Sequence, residues 1–194
     1  MKRYLALVLV FLTACVPAPQ AKTDAPLVLM FNGPTEHRHV PAAEAVTGNI
    51  NVAQQPYRFA SSSALRFRET HTSFSDYLVV SNVAREGRNL NAPLSVIVGT
   101  PVLTRDEKPN RNETQKQVFT TLELVARFIG TDDVTELGSL TSGTYSTSRW
   151  EAIDAELPPF AEDPDVQHLL RAAARDLAPT VAREINYYLG ELGY

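Results

Sequence analysis

VFTTLELVARFI, residues 118–129, is the stretch that decides the fold of this chain. Its even-numbered positions from Val118 to Phe128 are almost all apolar, whereas the odd-numbered positions include Glu123 and Arg127. Successive side chains of a strand point to opposite faces, so the alternation predicts a long strand with one buried and one partly covered face. Glu123 and Arg127 share the second face, where we expect a charge pair at the sheet surface.

Further strands are predicted on both sides of this stretch. Residues 94–99 are short and mostly apolar, and Pro101 behind them is typical of an edge position or a bulge. Residues 104–116 are rich in charge and asparagine, which predicts a solvent-facing hairpin loop. After a turn at 130–133, residues 134–147 predict a returning antiparallel strand rich in Thr, Ser and Gly.

Two helices and an N-terminal strand complete the predicted domain. Residues 27–31 predict a buried strand, alternating polar and apolar residues at 49–52 predict a short one, and apolar spacing predicts a helix over 72–88. Asp163 is a good N-cap before Pro164, and an apolar stripe runs from there to a predicted end at Gly190, with a kink at Pro179. This order predicts a single α+β domain over residues 27–194. Its expected form is two-layered, with a mainly antiparallel sheet and both helices packed on one face.

The first 26 residues have a different character. Basic residues at positions 2 and 3 precede an apolar run from Tyr4 to Leu12 and then Thr13-Ala14-Cys15. The run is shorter than the roughly 20 residues that span a bilayer, and it fits the apolar region of a signal peptide. We therefore predict a signal peptide over 1–14. Residues 15–26, which contain three prolines, are predicted to form an extended tether behind Cys15, or else an ordered arm on the domain.

Leu12-Thr13-Ala14-Cys15 resembles the lipobox of bacterial lipoproteins. The resemblance implies that the signal is cut before Cys15, whose sulfur takes a diacylglycerol and whose new amino terminus is acylated, for example with palmitate. It places the protein in the cell envelope as a membrane-bound lipoprotein. An Asp after the cysteine resembles an inner-membrane retention signal, but Val16 stands there, so the outer membrane and its periplasmic face are expected. An ordinary secreted protein with a cysteine at its cleavage point is the alternative.

Residues 92–147 resemble a second feature of envelope lipoproteins. The segments Val96-Ile97-Val98-Gly99-Thr100, 124–129 and 139–146 are similar to a group that includes the curli-secretion channel lipoprotein and the penicillin-binding-protein activator lipoprotein. That group has a domain like the N-terminal domain of TolB. The resemblance implies the same fold here and a role in building or regulating envelope assemblies by protein contact. The turn at 130–134 lacks the Thr-Gly pair common in the group, and the first half of the chain does not match it.

Charge and composition exclude some partners. The net charge is −4, and loss of Lys2 and Arg3 with the signal would leave the mature chain at −6. An acidic chain argues against nucleic acid and against a polybasic membrane patch, so Cys15 is the expected membrane attachment. No partner exists within the chain for a disulfide of this one cysteine.

Candidate chemical sites are sparse. His37 and His39, with Glu36 and either His71 or His168, have residue types that bind metals, but a solvated loop explains them better, and no metal or cofactor is predicted. There is no Gly-x-Ser-x-Gly segment and no phosphate-binding loop, so we expect no catalytic residues and no enzyme activity.

Arg149 and the lone tryptophan, Trp150, are the candidate partner surface. They are expected just after the last strand, and an exposed Trp150 would suit a contact site. We predict a lipid-anchored lipoprotein that acts by contact with an envelope protein or by self-association. A lipoprotein that binds a small molecule or a metal is the alternative.

Overall fold

The computed structural model describes residues 26–32, 40–61 and 77–194. The predicted signal peptide, Cys15 and nearly all of the tether lie outside this part of the chain, as do Glu36, His37, His39 and His71. The strands are β1 Pro26–Asn32, β2 Arg58–Ser61, β3 Leu94–Pro109, β4 Gln115–Gly130 and β5 Glu136–Ala152. The helices are α1 Ala42–Thr47, α2 Tyr77–Asn89 and α3 Pro164–Glu191, with short 3-10 turns at Val52–Gln54 and Phe160–Glu162.

The five strands form one mixed sheet in the order β2-β1-β3-β4-β5. β3, β4 and β5 form an antiparallel meander, whereas β1 is parallel to both β2 and β3. The predicted α+β class and the mainly antiparallel sheet are confirmed. The two parallel pairings were not predicted, because the direction in which strands pair depends on contacts between segments that are distant in sequence.

The main core lies between α3, α1 and one face of the sheet, which we call the inner face. The inner face buries the alternate residues of β4 that the sequence predicts, including Leu122, Leu124 and Phe128. α3 contributes its apolar stripe and begins at Asp163, whose side chain accepts a hydrogen bond from the backbone N–H of Asp165. The helix runs through Pro179 without a break, its buried residues stay in phase on both sides of the proline, and the kink there stays a prediction.

α2 packs on the opposite face, which corrects the expectation that both helices cover one face. Ser95 alternates with the inner-face residues of β3, and a Cβ added at Gly87 would lie 2.6 Å from the Ser95 Oγ and 2.3 Å from the Thr131 Cγ2. Arg88 donates a hydrogen bond to the carbonyl oxygen of Thr131. The glycine therefore lets α2 approach this end of the sheet closely.

Two other expectations need correction. The predicted loop 104–116 is mostly strand, because β3 runs to Pro109 and β4 begins at Gln115, where cross-strand partners support the charged residues. The alternation at 49–52 does not form a strand, since Val52–Gln54 is a 3-10 turn.

The predicted irregularity at Pro101 is confirmed. The pairing of β3 with β4 shifts register between Gly99 and Val102. The pairing of β4 with β5 shifts between Glu123 and Val125, beside Gly143, whose φ is 77°.

Candidate protein-contact surface

Trp150 lies inside β5, not after the last strand as the sequence suggested. It is paired with Gln117 of β4, and Gln117 is paired in turn with Lys108 of β3. The indole is 54% exposed, although tryptophan usually buries most of its surface. β5 therefore presents its largest apolar side chain to solvent near the end of the sheet.

Trp150 belongs to a mostly polar surface, which we call the open face. The open face is the side of β3, β4 and β5 opposite α3, and it extends from the α2 contact to the hairpin at 110–114. Hydroxyl and amide groups predominate there, and the register places side chains of three strands side by side. Its members are Val102, Thr104, Asp106, Lys108, Gln117, Phe119, Thr121, Glu123, Thr144, Ser146, Ser148 and Trp150.

Local contacts hold the open face in place. The Gln117 amide donates a hydrogen bond to the Ser148 Oγ at 3.2 Å, and the Lys108 Nζ lies 5.0 Å above the centre of the Phe119 ring. Thr141 and Thr144 of β5 donate to the Glu123 carboxylate, at 3.0 and 3.3 Å. Side chains of three adjacent strands thus contact one another across the open face.

Arg149 points to the inner face, so the structure separates it from Trp150. Its guanidinium contacts both oxygens of Asp163, at 2.9 and 3.2 Å, and the Glu151 carboxylate at 2.7 Å. It also pairs with Asp165 in the first turn of α3. Arg149 thereby joins β5 to the start of the last helix, and Trp150 alone of this pair faces outward.

Asp163 is the centre of this ion cluster and has a fully buried side chain. Burial opposes its ionisation, but the hydrogen bonds from Arg149 and the Asp165 amide, with the charges of Arg105 and Arg149, lower its pKa below the ordinary value. The hydrogen bond with Asp163 also raises the pKa of Arg149.

Arg105 holds the connector between β5 and α3 against β3, because it also donates a hydrogen bond to the Pro158 carbonyl oxygen at 2.9 Å. The sequence predicts that Asp163 caps α3, but it does not indicate the ion pair between Asp163 and Arg105.

Arg127 forms an ion pair with Glu136 of β5, with 3.0 Å between the Arg127 Nε and a Glu136 oxygen. The hydrogen bond from Arg127 lowers the pKa of Glu136. Glu123, the partner expected from sequence, accepts the threonine hydrogen bonds described above. The carboxylates of Asp163 and Glu136, whose pKa values are lowered, thus form ion pairs that join different strands and helices.

The outer edge of β5 is the other distinctive feature of this region. Within the described residues, β5 hydrogen-bonds to β4 only and ends the sheet. The strand is 17 residues long and contains no lysine or proline, which are common protective residues on edge strands. No strand in the described part of the chain pairs with the outer side of β5.

Of the remaining candidate metal ligands, His168 alone lies in the described part of the chain. His168 is exposed on α3, and no group of three metal-binding side chains occurs in the described segments. No helix within 26–32, 40–61 or 77–194 is long and apolar enough to cross a membrane.

No protein-family model and no curated protein matches this chain. Among solved structures, the PelC dodecamer from Paraburkholderia phytofirmans is similar at 7% identity, over 80% of this chain and 86% of that one, with a TM-score of 0.41. Lipoprotein GNA1162 from Neisseria meningitidis has 12% identity, 79% and 99% coverage and a TM-score of 0.38. A minor lipoprotein from Acinetobacter baumannii has 11% identity, 86% and 93% coverage and a TM-score of 0.35. None of these three TM-scores reaches 0.5, so these similarities carry no conclusion about function.

Proposed function

We propose that this chain is a cell-envelope lipoprotein that acts by protein contact, in the assembly or support of an envelope complex. Lipid on Cys15 would attach it to the membrane, and the outer membrane, on its periplasmic side, is the proposed location. The tether at 15–26 would separate the domain from the lipid surface. The proposal includes no catalytic step.

The sequence motif supports the anchor. A basic start, an apolar run too short to span a bilayer and Leu12-Thr13-Ala14-Cys15 occur in the order that lipoprotein processing requires. Several acyl chains on one cysteine bind a bilayer stably, whereas a single chain binds only marginally.

The exposed Trp150 is the observation that carries the contact function. Tryptophan side chains are enriched at the energetic centres of protein interfaces, where polar residues surround a large apolar group. Trp150 has this setting, with Gln117 and Ser148 beside it on the open face. Burying its exposed surface would favour association through the hydrophobic effect, and its indole N–H can still donate to a partner.

The anchor is tested by mass spectrometry of the mature protein. We expect an N-terminal Cys15 that carries diacylglycerol and acyl groups, and membrane fractionation that places the protein with the outer membrane. Cys15→Ala should lose the lipid and remain uncleaved or soluble. Lipid retained by Cys15→Ala, or an unmodified Cys15 in the mature protein, would contradict the anchor.

The contact surface is tested by site-specific photo-crosslinking in intact cells. A photoreactive residue with a benzophenone side chain at position 150, which keeps a large aromatic group there, should give discrete products whose partner peptides are identified by mass spectrometry. The same residue at Arg171, which is exposed on α3, is the matched control and should give weak products. Equal products at both positions, or none at 150, would argue against the open face as the contact surface.

A further inference from the structure

We infer that the outer edge of β5 pairs antiparallel with β5 of a second copy, around a two-fold axis at Trp150. This inference rests on the proposed contact function and names its partner. The first support is that no described strand pairs with the outer side of β5, because unpaired backbone N–H and C=O groups of a strand hydrogen-bond readily to another strand.

The chain after β5 leaves this edge open. Ile153 donates its N–H to the Thr114 carbonyl oxygen at 3.1 Å, and the Ala155 carbonyl oxygen accepts from the Lys116 Nζ at 2.8 Å. The Pro158 carbonyl oxygen then accepts from Arg105 of β3. These contacts lead the connector across the inner face towards β3, away from the outer side of β5.

The order Arg149-Trp150-Glu151 identifies a second copy as the occupant. When this segment is read antiparallel against itself, Arg149 faces Glu151 of the other copy and Trp150 faces its own counterpart. Opposite charges and aromatic pairs directly across two strands are stabilising, whereas like charges are destabilising. An axis at Arg149 would place two arginines opposite each other, and an axis at Ser148 would leave both charges without a charged partner across the strands.

The two faces of the sheet stay consistent in this arrangement. A two-fold axis perpendicular to the sheet keeps each residue on its own face, so both Trp150 side chains meet on the open face. Arg149 and Glu151 of the two copies meet on the inner face. The 2.7 Å contact between Arg149 and Glu151 within each chain then becomes part of a cluster of two arginines and two glutamates. Ile153, which is 40% exposed, then lies opposite Thr147.

The strand residues that pair directly are few, from Ser148 to Ala152. An overlap of this length is smaller than a standard stable interface, so the chain in dilute solution should pair weakly. Anchoring both copies in one membrane raises their effective concentration, and this favours the pair.

Disulfide trapping of the full-length protein in detergent and in vesicles tests the register. Ser148 and Ala152 face each other across the copies only when the axis lies at Trp150. The double variant Ser148→Cys with Ala152→Cys should therefore oxidise to a covalent dimer. The parent chain and Ser148→Cys alone should not, since the single variant reports an axis at Ser148. Adding Trp150→Lys should lower the dimer yield about tenfold, because two ammonium groups then oppose each other.

Each other outcome has a defined meaning. Equal dimer from Ser148→Cys alone, or no dimer from a double variant with an unchanged circular dichroism spectrum, would overturn the inference. Trp150→Ser repeats the test without a new charge, and undiminished trapping in both Trp150 variants would also count against the inference.

Lipid at Cys15 is measured on the same samples, which separates the pairing from the anchor. A lipidated chain with a foreign partner at position 150 and no dimer would preserve the proposed function and refute this inference. A dimer from an unlipidated chain would contradict the anchor and leave the pairing supported.

Discussion

Arg149 and Trp150 are consecutive residues of one strand, yet the two faces of the sheet use them differently. On the inner face, Arg149 contacts the buried Asp163 and ties β5 to α3. On the open face, Trp150 is more than half exposed. The same alternation separates Phe128, which is buried, from Phe119, which is only half-buried. The comparison teaches that the inner face carries stability and that the open face can change with little effect on folding.

The largest expected effect comes from emptying the inner face. Phe128→Ala leaves a cavity in the core and should lower the free energy of unfolding by about 3–5 kcal/mol. Phe119→Ala, the matched change on the open face, should cost about 1 kcal/mol, since its side chain is already partly solvated. Chemical denaturation of both variants measures the difference. Equal losses would mean that the two faces do not differ as described.

Arg149→Ala should have the next largest effect. It removes three ion-pair contacts and leaves the fully buried Asp163 with Arg105 as its remaining basic partner. Loss of a partner from a buried charge costs about 2–3 kcal/mol of unfolding free energy. Arg171→Ala on the exposed side of α3 is the control and should stay near zero. A result for Arg149→Ala as small as that of the control would exclude a stabilising role for the cluster.

Acid should weaken the inner face through Asp163. Its pKa is lowered in the folded state, so its contribution to stability is complete above the unfolded-state value of about 3.9. That contribution is lost as pH falls through the lower folded pKa. Asp163→Asn should therefore be less stable at pH 7 and show a smaller loss below about pH 4. Denaturation midpoints measured from pH 7 to pH 2 check this, and parallel curves for the two proteins would disprove it.

The smallest stability effect is expected at Trp150. Trp150→Ala should lower the unfolding free energy by about 1 kcal/mol or less, because more than half of the residue is already exposed. The same change should abolish the photo-crosslinked products that a neighbouring probe at Ser148 gives. A large loss of stability together with retained products would reverse the roles assigned to the two faces.

The sequence was sufficient where local chemistry decides the structure. Alternation in β4 predicted its buried residues, and Asp163-Pro164 predicted the start of α3. Local patterns could not predict that β1 pairs in parallel with β3, or that α2 packs behind Ser95, because both depend on contacts between distant segments. Charged residues such as Lys116 and Glu107 suggested a loop, although they support each other across two strands at 2.8 Å.

The site was predicted in part for the same reason. A lone tryptophan marked position 150, but its exposure depends on how β4 and β5 pair. Arg149 was assigned to the same surface, and only the alternation along β5, whose end was predicted too early, shows that it points the other way. The contact between Arg105 and Asp163 joins residues 58 positions apart, and no local spacing indicates it.

The register shifts in the sheet limit how far it can grow. The shift between Gly99 and Val102 in β3 lies level with the one between Glu123 and Val125, since Gly99 pairs with Val125. Bulges bend a strand and increase its twist, so β5 changes direction near Gly143. A straight strand added at the Trp150 end would diverge from β5 there. Pairing at this edge is thus confined to the short part of β5 that follows Gly143, which opposes the stacking of many chains into a fibril.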